Sequence, residues 1–114
     1  MKVSFEGIGE QVVSFEAASG TKANEFVKVS ANSKVAKCSA DDVFAGYCIA
    51  ADGGFAEVML HGYIEVGYTG TTAPTVGYDT LTAAGSGKVQ ADEDGREYLV
   101  IKVDTTNAVV GFMM

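Results

Sequence analysis

Asp52-Gly53-Gly54-Phe55-Ala56-Glu57-Val58-Met59-Leu60-His61-Gly62-Tyr63-Ile64-Glu65-Val66-Gly67-Tyr68 is the stretch whose reading decides the fold. Phe55, Glu57, Met59 and His61 alternate with Ala56, Val58 and Leu60, the period of two expected of a strand whose side chains point to opposite faces in turn. Asp52-Gly53-Gly54 in front of it is a hairpin signal, because a tight turn demands positive φ and glycine adopts it without steric cost. Gly62 breaks or bulges the run, and Tyr63 to Tyr68 resumes it with Ile64, Val66 and Tyr68 on one face.

The same rhythm extends in both directions. Val12 to Phe15 and Phe26 to Ser30 alternate clearly, and Lys34 to Cys38 does so less cleanly. Phe44 to Ala51 is mostly apolar, as expected of a strand covered on both faces. Beyond the central stretch, Tyr68 to Pro74 reads as an ordered loop leading to Val76-Gly77-Tyr78. Lys88 to Ala91 and Tyr98 to Val103 read as strands, and Ala108 to Met114 as a last apolar strand that must pair with a sheet or a neighbour to avoid a sticky edge. Gly85 to Lys88, Asp92 to Gly95 and Thr105 to Asn107 read as turns. Ser39-Ala40-Asp41-Asp42 resembles a capping box, but Gly46 follows so soon that it supports one helical turn at most. No internal repeat of fixed period is visible.

Composition agrees with this pattern. Fifteen Val and four Ile stand against three Leu, and branching at Cβ suits a pleated sheet better than a helix. Fourteen Gly punctuate the apolar runs. The expectation is an all-β fold in a single compact domain over residues 1–114, a small β-barrel or sandwich of short antiparallel strands with at most one short helical turn. Residues 1–8 are read as an N-terminal arm.

The chain has 114 residues, 47% of them hydrophobic and 20% charged, the balance of a globular protein. No apolar run approaches the roughly 20 residues of a membrane helix, and the opening residues do not read as a secretory signal. Fifteen acidic residues against eight basic ones leave a net charge of -7, with a single Arg and no adjacent basic pair. Nucleic acid and anionic membranes are therefore not expected partners, since affinity for phosphate comes from clustered Lys and Arg.

Few residues offer chemistry. His61 stands alone at a strand end, and a general base needs a partner in space. Cys38 and Cys48 lack zinc spacing; a disulfide between them would require an oxidising compartment, and buried free thiols are the favoured reading. Gly85-Ser86-Gly87-Lys88 fails as a phosphate loop, because Thr82 and Val89 occupy positions that need Gly and Ser/Thr, and a strand follows. Asp92-Glu93-Asp94-Gly95 is better explained as a turn than as part of a calcium loop. No catalytic residue, metal site or cofactor is expected, and the chain is not read as an enzyme. The segment Tyr63 to Tyr78 holds three tyrosines and one proline with only Glu65 and no other charge before Asp79, so Tyr63, Tyr68, Pro74 and Tyr78 are the candidate interface. The competing reading is that these tyrosines pack over the end of the barrel.

Nearly the whole chain resembles the small β-rich capsid decoration, or cement, proteins of tailed bacteriophages and prophages. The likeness lies in Lys2-Val3-Ser4-Phe5-Glu6-Gly7, in Phe44-Ala45-Gly46, in Ala56 to Tyr63, and in Val66-Gly67-Tyr68-Thr69-Gly70. It continues through Val76-Gly77-Tyr78 and Tyr98 to Asp104 to the closing Val110-Gly111-Phe112. The resemblance implies a viral structural protein made in the bacterial cytoplasm and located on the virion. It would bind the major capsid protein in many copies, often as homo-trimers, and hold capsomers together, with Met1 to Ile8 adding a strand to the shell. The alternative function is a small carbohydrate- or ligand-binding module in which Tyr63, Tyr68 and Tyr78 stack on sugar faces.

Overall fold

The computed structural model describes residues 10–114, which are built from strands and turns without a helix. β1 (Gln11–Ala17), β2 (Glu25–Ala31), β3 (Lys34–Lys37), β4 (Gly46–Asp52) and β5 (Phe55–His61) close into one barrel in the order β1-β3-β2-β4-β5. β6 (Tyr63–Thr69), β7 (Gly77–Gly85), β8 (Lys88–Ala91), β9 (Arg96–Asp104) and β10 (Val109–Met113) close into a second, in the order β6-β8-β7-β9-β10. The all-β fold expected from the alternation is present, and closure removes the free edges that short strands would otherwise expose. The last strand pairs with both β6 and β9. The expected N-terminal arm lies outside the described residues.

The two barrels are one topology used twice, which the absence of a fixed period in the sequence concealed. Each has a single parallel pair, β1–β3 and β6–β8, among otherwise antiparallel neighbours. Each slips register in the hairpin that follows, at Val29/Ala31 and at Ala83/Gly85. Each leaves one isoleucine unpaired in the ladder of its last two strands, Ile49 opposite β5 and Ile101 opposite β10. Backbone bonds recur as well. Ala17 N–H donates to Gly54 O at 2.8 Å, and Tyr68 N–H donates to Ala108 O at 3.0 Å. Gly54 and its counterpart Ala108 both have positive φ, 82° and 54°. The period is hidden because loop lengths differ: β4 and β5 are joined by Gly53 and Gly54, whereas β9 and β10 are joined by Thr105 to Ala108.

Interior positions match one to one. Val27, Val35, Cys48, Ala56 and Val58 fill the first barrel. Their counterparts by register, Leu81, Val89, Val100, Val110 and Phe112, are buried in the second. Ala56 and Val58 point inward as their alternation predicts. Phe26, Tyr47 and Met59, which are cross-strand neighbours on the outer wall of the first barrel, are covered because the second barrel sits on them. Phe44 completes this seam, stacked on Tyr98 of the second barrel at 5.2 Å and 2° and tilted against Phe26 at 4.3 Å. Phe112 lies within 6.5 Å of Phe26 and 6.3 Å of Phe44.

Three expectations are corrected. β4 is not covered on both faces: Ile49 and Ala50 are exposed, because the bulge at Ile49 turns the strand's second half outward. Not every pairing is antiparallel, since β1–β3 and β6–β8 run parallel. The chain beyond Tyr78 continues as a nine-residue strand, Gly77–Gly85, which its small side chains did not signal. Ser39 to Asp42 forms a turn without a helix, within the limit of one helical turn that the sequence set. There Ser39 N–H donates to Asp42 Oδ2 at 2.8 Å, and Asp42 N–H donates to Ser39 O at 3.2 Å. This turn is pinned to the second barrel, with Asp41 N–H donating to Ala83 O and Ala83 N–H donating to Asp42 O.

Truncating Phe44 removes the ring between the barrels, and Phe44→Ala is expected to cost about 3–5 kcal/mol. Both barrels are expected to unfold in one transition in guanidinium, since they share this cluster; the measurement is denaturant unfolding followed by circular dichroism. Lys28 Nζ lies 2.8 Å from Asp42 Oδ2. That hydrogen bond, with the one from Ser39 N–H, holds the Asp42 carboxyl below its ordinary value, and the same bond holds Lys28 above its own. The Asp42 contribution is therefore present above the unfolded value of about 3.9 and fades as pH falls through the lowered folded value. Asp42→Asn should lower the thermal midpoint at neutral pH, with the gap to wild type closing in acid.

Candidate functional site

The structure distributes the four candidate interface residues rather than gathering them. Tyr63 is buried on the outer face of the second barrel, where its hydroxyl donates to Glu65 Oε2 at 2.8 Å. It lies over Gly111, whose missing Cβ leaves room for the ring. Glu65 in turn is 3.7 Å from Lys102 Nζ. Tyr68 is half-buried against the central cluster, and Pro74 is buried. Tyr78 alone is open, 71% exposed. Tyr63 therefore offers no face on which a sugar ring could stack beside Tyr78.

Around Tyr78 the surface is apolar for a local reason. Asp79 accepts from Thr75 N–H and Thr80 N–H, both at 2.8 Å, and so ties down the loop that enters β7. Gly77 supplies a φ of 101° in that loop. Val76, at 63% exposure, and Tyr78 are thereby held outward, and Tyr78 lies directly across from Leu99, which is also exposed. Leu99 pairs in turn with Met113.

A second exposed anchor was missed by the sequence reading, which saw Phe55 only as the start of a strand. Phe55 is 60% exposed just after the Gly53-Gly54 turn. Its cross-strand neighbours are Glu16 and Asp52, and Glu57 follows two residues on along the same face. Phe55 lines two open grooves of about 380 Å³ each, one of them with Ser14, Ala50, Asp52 and Glu57. An aromatic ring bordered by three exposed carboxylates fits an apolar socket with basic groups at its rim. The signal for it was an aromatic residue set immediately after Gly-Gly with an acid two positions on.

Groups capable of chemistry are placed apart or covered. The only His and the only Arg, His61 and Arg96, line one cleft of about 150 Å³ at the seam with Ala45, Leu60, Tyr98 and Met114. Arg96 sits 5.5 Å from the Tyr98 ring centre, and among the described residues no carboxylate or thiol lines the cleft. Cys38 and Cys48 are buried free thiols. Burial pushes the Cys38 thiol up to about 11, and burial likewise raises Cys48, whose S–H donates to Ala50 O at 3.3 Å. Both are thus far from the thiolate that a nucleophile requires. Asp92 uses its carboxylate within its own turn and on Thr82 Oγ1 at 3.0 Å. Among the described residues no group of three or more His, Cys, Asp and Glu is arranged to hold a metal ion.

The chain matches no protein-family model and no curated protein sequence. The two thiols provide a direct check on the seam and the first barrel's interior. Ellman's reagent at pH 8 is expected to leave Cys38 and Cys48 unmodified in the native protein and to titrate two thiols once guanidinium is added.

Proposed function

We propose that this chain is a non-enzymatic structural protein of a tailed bacteriophage or prophage, one that binds the outer surface of the capsid and stabilises the shell. Phe55 is the observation that carries the reading. A ring held outward at the end of a rigid barrel, with Glu16, Asp52 and Glu57 around it, is built to enter a pocket on a larger surface. The likeness of Phe44 to Gly46, Ala56 to Tyr63 and Tyr98 to Asp104 to decoration proteins supports the class of partner. Closed barrels resist deformation, and a net charge of -7 keeps the free protein soluble before docking. Many weak attachments across adjacent capsomers would together oppose the pressure of packaged DNA. Major capsid protein is the proposed partner, and the virion surface the proposed location.

Mass spectrometry of density-purified particles is expected to find the chain at a copy number comparable to the capsid subunit; its absence from intact particles overturns the reading. In cosedimentation with expanded shells, Phe55→Asp is expected to weaken binding by about thirtyfold or more, the loss of one interface anchor of about 2 kcal/mol. Deleting Met1 to Ile8 is expected to abolish binding with the fold intact by circular dichroism. Unchanged binding by both variants overturns the docking surface.

A further inference from the structure

Two complementary surface features lie at opposite ends of β5. At its start Phe55 stands open beside the Gly53-Gly54 turn, directly across from Glu16 and Asp52 and two residues before Glu57 on the same face. At its end His61 reaches the cleft between the barrels, where Arg96 of the second barrel meets it. One feature is an aromatic ring among carboxylates. The other is a hollow with the chain's only guanidinium and only imidazole at its wall.

The hollow matches the ring in size, lining and charge. Its volume is about 150 Å³, and a cavity of about that volume holds a benzene ring. Ala45, Leu60 and Met114 supply apolar wall. Tyr98 supplies a rigid one, since it is buried and stacked on Phe44. Arg96 lies 5.5 Å from the centre of that Tyr98 ring. Among the described residues the ion pairs are Lys28 with Asp42 and Lys102 with Glu65, so Arg96 has no carboxylate partner. A guanidinium presents a planar fork of donors suited to a carboxylate, and here it is left unpaired in a chain with fifteen acidic residues.

We infer that copies of this chain associate head to tail, Phe55 of one copy entering the cleft between the barrels of the next. Arg96 and His61 then receive the carboxylates that surround the ring, Glu16, Asp52 and Glu57. The ring does not reach the cleft of its own chain, because the length of β5 from Phe55 to His61 holds the two roughly 20 Å apart. The net charge of -7 repels two copies in most orientations, and this one sets acidic groups against the basic cleft. A contact between two different patches is heterologous and closes into a ring or continues as a filament according to the rotation it imposes. The association does not rest on shell binding, because ring and cleft both belong to the free chain. One Phe55 cannot fill a shell pocket and a neighbour's cleft at once, so the two partners exclude each other at any single copy.

Sedimentation velocity of the full chain alone, over a range of concentrations, tests it. Wild type is expected to sediment as more than one chain, and Phe55→Asp and Arg96→Glu each as a single chain. His61→Glu reverses the cleft from the first barrel while leaving Arg96 on Tyr98, and is expected to behave as Arg96→Glu. All three are checked for wild-type circular dichroism. An equimolar mixture of Phe55→Asp and Arg96→Glu retains one intact cleft and one intact ring, and is expected to form a heterodimer and nothing larger. A monomeric wild type overturns the inference. So does association that survives any of the three substitutions, or a mixture that stays monomeric or grows past two chains. No shell is present in this measurement, so it can fail while shell cosedimentation succeeds, and the reverse.

Discussion

Phe44 stacked on Tyr98, with Phe26 and Phe112 closing around them, is the interaction on which the rest of the structure depends. A five-stranded barrel of half this chain's length encloses only a handful of side chains, Val27, Val35, Cys48, Ala56 and Val58 in the first case. Units this small bury too little of their surface to be robust alone, since the buried fraction rises with chain length. Setting the second barrel on Phe26, Tyr47 and Met59 turns an outer wall into interior and gives both barrels a shared core. Bulky outward-facing residues on β2, β4 and β5 are therefore structural, although on a lone barrel they would be an exposed patch.

One strand order used twice, with connections of unequal length, lets the two halves present different surfaces from one backbone plan. Phe55 in the first barrel corresponds to Val109 in the second, but only Phe55 follows a two-residue glycine turn that leaves its ring in solvent. The longer connection before Val109 is tied by Asp104, whose carboxylate accepts from Thr106 N–H and from the Asn107 backbone and side-chain amides. These bonds hold the Asp104 carboxyl below its ordinary value, with the Asn107 side-chain bond the largest cause. In the opposite sense, Tyr47 packs into the seam of the first barrel, whereas its counterpart Leu99 is exposed on the second.

Much of the strand content was legible. Alternation in Phe55 to His61, Tyr63 to Tyr68 and Tyr98 to Val103 located strands where the structure has them, and the hairpin at Gly53-Gly54 is real. Period-two patterning reports which residues share a face, so Ala56 and Val58 were readable as one side of a sheet. It does not report whether the other side meets water or protein, which is why Met59 and Phe26 gave no warning of their burial. Small residues in Thr82-Ala83-Ala84-Gly85 hid the second half of β7, which is held by pairing to β8 and by the backbone bonds of Ala83 with Asp41 and Asp42. The tyrosine segment misled for a related reason. Lack of charge marked Tyr63, Tyr68 and Pro74 as apolar surroundings, and the chain buries Tyr63 and Pro74 and half-buries Tyr68.

What the sequence by itself determined was the β class and the turns, since both follow from local side-chain shape and backbone freedom. Tertiary structure alone decided that the strands close as two equivalent barrels, which outer wall is buried, and that Phe55 and Tyr78 are the rings left open among the described residues. Those outcomes are set by pairing between residues distant along the chain and by loops of unequal length, and neither leaves a periodic trace in the order of the amino acids.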